Sequence, residues 1–277
     1  PPPPPPPPPL FFFQPDHGLR DPLWSRGLGD VYKRQIINKA REDMKTFFGV
    51  KEGLVFTGES GTELLFRLVR AAILGSPAGG NVVGSTLEHP ATASARVRWC
   101  PVAGKENISI AHDKDQAMVT AQDYAAQVTE DTRVATIIQT SPVTGMAVDV
   151  AAVAKAIRER APECFIIVDS IQHAAHGVMD MEACGVDACA LAGYKVFSRH
   201  NYGVAWVSPR LSTLPHEKLD GTADDFWELG TRDTGAFATF SEVVNYLDWL
   251  GSQLCLLYTS DAADEGLGVD LGGRRII

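Results

Sequence analysis

Apolar residues at 36, 37, 40, 44, 47 and 48 recur at helical spacing and stop at Gly49, which predicts a helix over 36–48. A second helix is predicted from Ser60, with Thr62 and Glu63 in its first turn and Leu64, Leu65, Leu68 and Ile73 turned inward. Residues 81–85 read as a strand, and Pro90 suits the first position of the helix that follows. Segments 108–111, 122–128 and 135–139 read as strand, helix and strand, and 149–160 is an alanine-rich helix with Val150, Val153, Ala154 and Ile157 on one face. Two runs, 164–168 and 188–192, are continuously apolar, the mark of strands covered on both faces, and a helical segment is expected between them. A further strand is expected over 203–208. Phe237, Phe240, Val243, Val244, Leu247 and Leu250 then form the stripe of a last helix, read as far as Gly251. Strands alternating with helices predict an α/β fold.

The formal charge of −9 with no basic run repels a phosphate backbone, so nucleic-acid binding is not expected. No apolar run approaches the ~20 residues of a membrane span. Cys100, Cys164, Cys184 and Cys189 fit neither a paired-cysteine zinc site nor a disulfide framework, and read as reduced thiols of a cytoplasmic protein; no metal is expected. The ends differ in character from the middle. Residues 1–24 open on a proline run with no period of either kind. Segments 25–35 (SRGLGDVYKRQ) and 255–265 (CLLYTSDAADE) resemble a translated sequencing adapter. The expected organisation is a non-native leader over 1–35, one domain over 36–254 that is an internal fragment, and a non-native tail over 255–277.

Asp169 closes the first buried run and Lys195 follows the second through Gly193 and Tyr194. Strand, crossover and strand bring both to the carboxyl ends of the strands, the edge at which open α/β sheets bind ligands. An acid and a lysine together there suit pyridoxal phosphate held as a lysine aldimine, with the carboxylate on the ring nitrogen. The spacing alone is met equally by an acid that caps a helix and a lysine on a surface loop. Ser60 likewise reads as a simple helix cap, or as the start of a phosphate cradle built from the amides of Gly61 and Thr62.

The string VDSIQHAAHGVMDMEACGVDACALAGYKVF resembles the cofactor segment of class V aminotransferase-like pyridoxal phosphate enzymes, particularly the cysteine desulfurase and selenocysteine lyase branch. That resemblance implies a type I fold: the large domain, a mostly parallel, mixed sheet of seven strands sandwiched by helices, without the small domain. It implies pyridoxal 5′-phosphate as cofactor, a small amino acid as substrate and a homodimer. Among the residues, it implies Lys195, Asp169 and His89 as the catalytic set, with His89 over the ring and Gln172 on the ring's phenolic oxygen. Ser60, Gly61 and Thr62 lie in a stretch, 57–63, similar to the turn that holds the cofactor phosphate, keeping its Thr-Glu end but with Glu59 and Ser60 in place of a Ser-Gly pair, and Tyr194 stands where a phosphate-binding histidine is usual. Thr231, in WELGTRDT, matches a loop threonine that reaches the phosphate of the other subunit. Departures are Pro142 in place of an asparagine, Ala192 in place of a serine, and Arg232 in place of a proline, the last expected on phosphate, substrate carboxylate, or an ion pair with Asp233 or Glu228. The implied reaction is carbon–sulfur or carbon–selenium cleavage. The alternatives are a kynureninase-like hydrolase, to which Tyr194 points, an isopenicillin-N-epimerase-like enzyme, and a truncated remnant without cofactor.

Overall fold

The computed structural model describes residues 26–230 and 233–261, with side chains from 31 to 253. The leader over 1–25, the tail over 262–277, Thr231 and Arg232 lie outside the described residues. Helix α1 (Arg26–Phe48) leads into β1 (Leu54–Gly58), α2 (Gly61–Gly75), β2 (Asn81–Ser85), α3 (Pro90–Trp99) and β3 (Glu106–Ile110). Then come α4 (Ala121–Gln127), β4 (Thr132–Ile138), α5 (Val150–Arg160), β5 (Phe165–Asp169), α6 (Met181–Cys184), β6 (Ala188–Ala192), β7 (Gly203–Val207), α7 (Pro209–Ser212) and α8 (Thr234–Asp261).

The strands form one seven-stranded sheet in the order β1-β7-β6-β5-β4-β2-β3. Strands β3, β2, β4, β5 and β6 run parallel, and β7 is antiparallel to both its neighbours, so the sheet is mixed. All five residues of β5, β6 and β7 are buried. Alternate residues face opposite layers, as a period of two requires. Ile166, Val168, Cys189, Leu191, Val204 and Trp206 face the layer that includes Met44, Phe47, Ile157, Phe237 and Phe240. Phe165, Ile167, Ala188, Ala190, Ala205 and Val207 face the layer of Leu64, Leu65, Leu68 and Trp227. Helices α1 and α8 pack against each other, with the rings of Phe47 and Phe240 edge to face at 5.3 Å. Among the described residues no helix is long and apolar enough to cross a membrane.

The largest departures from the sequence expectation are at both ends and between β5 and β6, while β3 and β4 begin two and three residues early. Helix α1 begins ten residues before Ile36, and residues 31–36 are all exposed, so no apolar stripe marks that stretch. Helix α8 continues past Gly251, since one helical glycine costs only about 1 kcal/mol. The segment between β5 and β6 is mostly turn: His176 and Gly177 both donate backbone bonds to the His173 carbonyl, and only the short α6 is helical, capped by the Asp180 side chain and closed by Gly185 at φ 68°. Helices α1 and α8 thus each cross a boundary, at 35 and at 254, expected from the sequence.

Candidate functional site

Small residues decide where the site forms. Ala188, Ala190 and Ala192 of β6 and Gly203 of β7 leave room for α2 to descend onto the sheet. A Cβ on Gly203 would lie 2.7 Å from the Gly61 nitrogen, and one on Gly61 would lie 2.6 Å from Ile171 Cδ1. Glycine at both places therefore lets the start of α2 reach the carboxyl ends of β5 and β6. Ser60 caps α2, its hydroxyl accepting from the Glu63 amide at 3.1 Å. The first amides, at Gly61 and Thr62, have no partner within the helix and carry its positive dipole end.

These elements enclose a cavity of about 220 Å³. Of the nine residues singled out in the sequence, eight line it: Ser60, Gly61, Thr62, His89, Asp169, Gln172, Tyr194 and Lys195. The ninth, Thr231, lies outside the described residues. Pro142 and Ala192, noted as departures, also line the cavity, as do Ile138, Thr140 and Ile171, which the sequence reading did not single out. Ile138 ends β4 and Thr140 follows it, so the rule that strand ends carry the site would have found them.

Asp169 is 3% exposed. Its Oδ1 accepts from the Ile171 amide at 3.0 Å, while Oδ2 is buried with no partner among the described residues. Burial pushes its carboxyl up to about 7, against the lowering by the Ile171 bond, and the Glu88 carboxylate adds to the rise. A buried carboxylate oxygen left without a partner, on a residue that lines a cavity, calls for a cationic N–H donor. A protonated pyridine nitrogen supplies one, and the amide-rich start of α2 suits a phosphate. The residues present therefore fit pyridoxal phosphate.

His89 does two things. Its Nδ1 accepts from the Ala91 amide at 3.1 Å, capping α3, so the neutral ring carries its proton on Nε2; the same residue lines the cavity. His89 therefore caps α3 and lines the cavity at once. Lys195 ends a 3-10 turn (Gly193–Lys195), with its Nζ 5.3 Å from the centre of the Tyr194 ring. Tyr194 is half-exposed and stacks on His200 at 4.6 Å. The backbone after Lys195 is left-handed at Phe197, with φ 62°, a conformation that costs a bulky residue of order 1–3 kcal/mol. Thr140 Oγ1 and His173 Nδ1 are 2.9 Å apart. None of the buried thiols lines the cavity, and burial pushes Cys164 up to about 12, which removes it as a nucleophile. Of the acids expected near Arg232, Glu228 lies 3.6 Å from Arg41 and Asp233 pairs with Arg199.

Residues 26–255 match the family described as aminotransferase class-V. Among curated proteins, the chain is similar to a cysteine desulfurase of Nostoc sp., 21% identical over 173 residues, covering 62% of this chain and 42% of the relative. It is similar to a probable cysteine desulfurase of Borreliella burgdorferi, 22% identical over 257 residues, covering 83% of this chain and 59% of the relative. Among solved structures, the cysteine desulfurase CsdA from Escherichia coli superposes with a TM-score of 0.69 at 14% identity, over 90% of this chain and 67% of that one. The apo cysteine desulfurase of Thermococcus onnurineus NA1 gives 0.69 at 16% identity, over 83% and 62%. At these identities the structural likeness establishes the fold. The chain spans less than half the length of the Nostoc relative.

Proposed function

Because the chain belongs to the class V aminotransferase family, whose members use pyridoxal 5′-phosphate, we propose that the cavity beside Asp169 and Lys195 holds this cofactor and that the chain acts on a small amino acid. Cleavage of a carbon–sulfur or carbon–selenium bond is the reaction assigned first, supported by the cysteine desulfurases among the relatives. Tyr194 supports a kynureninase-like hydrolysis as the second reading. When bound, pyridoxal phosphate draws electrons from the substrate carbon that bears the amine.

The chain's own residues divide the remaining work. Asp169 Oδ2 accepts from the ring nitrogen and balances its charge. Ser60, Gly61 and Thr62 hold the phosphate at the start of α2, and Tyr194 adds a hydroxyl donor. Gln172 donates to the ring oxygen. His89, its Nδ1 committed to the Ala91 amide, keeps a fixed ring orientation against the cofactor face. Lys195 is the residue that would hold the cofactor covalently, and its free amine would serve as the base at the substrate α carbon. Thr231 would reach the phosphate in the other subunit of a homodimer. The same reading takes residues 36–254 as the cofactor domain and the flanks as non-native, which sequencing the intact gene across both junctions checks.

The observation that carries this reading is the unpartnered Oδ2 of buried Asp169 in a cavity shared with Lys195. The test is reduction with borohydride after addition of pyridoxal phosphate, followed by peptide mapping. The expected adduct is on Lys195 and is lost in Lys195→Ala; an adduct retained in that variant, or none in the parent chain, refutes the assignment. Formation of alanine from cysteine or selenocysteine, with an added dithiol reducing the released sulfur or selenium to sulfide or selenide, supports the first reading; its absence with both substrates favours the second.

A further inference from the structure

Glu88, immediately before His89, has a side chain 0% exposed. Its Oε1 accepts from the Ser85 amide at 2.8 Å, Thr136 Oγ1 lies 2.8 Å from both its oxygens, and Arg96 Nη2 is 3.5 Å from Oε2. Arg96, 1% exposed, is held in turn by Asn107 Oδ1 at 2.9 Å and the Ile108 carbonyl at 3.1 Å. One carboxylate therefore ties together the end of β2, the middle of β4 and α3, the three elements that deliver His89, Ile138 and Thr140 to the cavity. A buried ion pair is a weak means of stabilising a fold, because desolvation offsets most of the attraction.

We propose that Glu88 is a positioning residue of this site: through the Ser85 amide, Thr136 and Arg96 it fixes the turn from which His89 faces the cavity. The proposal rests on the cofactor reading above for the use made of His89, but the positioning exists in the cofactor-free chain. The groups around the two carboxyls are few. Glu88 is faced by Arg96, Thr136 and the buried Tyr124, whose own hydroxyl donates to the Thr136 carbonyl at 2.8 Å. Asp169 is faced by the Ile171 amide, with His89 and Lys195 lining the same cavity. Burial raises Asp169 most and Glu88 raises it further, while Arg96 is engaged on the far side by Asn107 and Ile108.

The test uses the full chain without cofactor and follows hydrogen exchange at the Ala91 amide, which His89 caps, in the parent and in Glu88→Gln. The amide preserves size and removes charge. The Ala91 amide is expected to exchange at least several-fold faster in Glu88→Gln while the amides of β6 keep the parent rate. Unchanged Ala91 exchange in a folded Glu88→Gln chain overturns the proposal. Should Glu88→Gln fail to fold, Glu88→Asp decides: the shorter side chain cannot span Ser85, Thr136 and Arg96 together, so the Ala91 amide capped by His89 is expected to exchange with solvent at least several-fold faster. Unchanged Ala91 exchange in a folded Glu88→Asp chain overturns it. Absence of a borohydride adduct at Lys195 refutes the cofactor reading and leaves both of these readouts intact.

Discussion

Asp169 is where burial and charge oppose each other most directly. Its folded-state carboxyl sits at about 7, above the ordinary value of 3.8. With the pKa raised on folding, the folded chain holds a proton that the unfolded chain has released, so stability falls as pH rises from about 4 to about 7. The accumulated loss is of order 4 kcal/mol. Asp169→Asn is therefore expected to raise the melting temperature of the cofactor-free chain at pH 8 and to leave it nearly unchanged at pH 4; equal effects at the two pH values would refute the assignment of this cost to Asp169. The same substitution removes the negative charge that balances a ring cation and is expected to weaken pyridoxal phosphate binding at pH 8. Asp169 was legible as a site residue because it closes an unbroken apolar run, but its lone oxygen was not, because that depends on Ile171 occupying Oδ1.

Helix α2 shows how an element is placed by residues distant in sequence. Its cap, first turn and apolar stripe are all local and were readable, and Leu64, Leu65, Leu68 and Ile73 are fully buried. Its approach to the cavity depends on Gly203, 142 residues after Gly61 and on another strand (203 − 61 = 142). Gly203→Ala places a Cβ against the backbone of Ser60 and Gly61, where no flexible side chain can give way. The expected cost is about 1–3 kcal/mol in a denaturant melt, with weaker affinity for pyridoxal phosphate and for inorganic phosphate. Ser60→Ala is expected to cost about 1 kcal/mol through loss of the cap bond to Glu63, with little effect on the sheet. Equal phosphate affinity in Gly203→Ala and the parent would show that the helix start does not hold the anion. Elements with purely local signals were placed closely: β2 and β6 coincide with the expected spans. The stretch between β5 and β6 was not, because its His-rich turn offers residues compatible with helix and only the backbone bonds to His173 show otherwise.

For the molecule as a whole, the cavity joins the starts of α2 and α3 to the ends of β4, β5 and β6, so a ligand filling it cross-links elements from both halves of the described chain. Pyridoxal phosphate at a hundred times its dissociation constant is expected to stabilise the chain by about 2.7 kcal/mol, read as a rise in melting temperature that Lys195→Ala diminishes; no rise at saturating cofactor would count against the site. The sequence by itself determined the alternation of strands and helices, because burial on two faces, helix caps and turn residues are written in neighbouring positions; the acid, histidine and lysine were singled out through the family resemblance. It determined the fold class as well, through a resemblance concentrated in 168–197. The tertiary structure decided that eight chosen residues surround one cavity, that Asp169 keeps an unpaired oxygen there, and that Glu88 and Gly203 stand behind them. Those facts depend on which residues meet across the sheet, and a contact between strands far apart in the chain leaves no periodicity in either one.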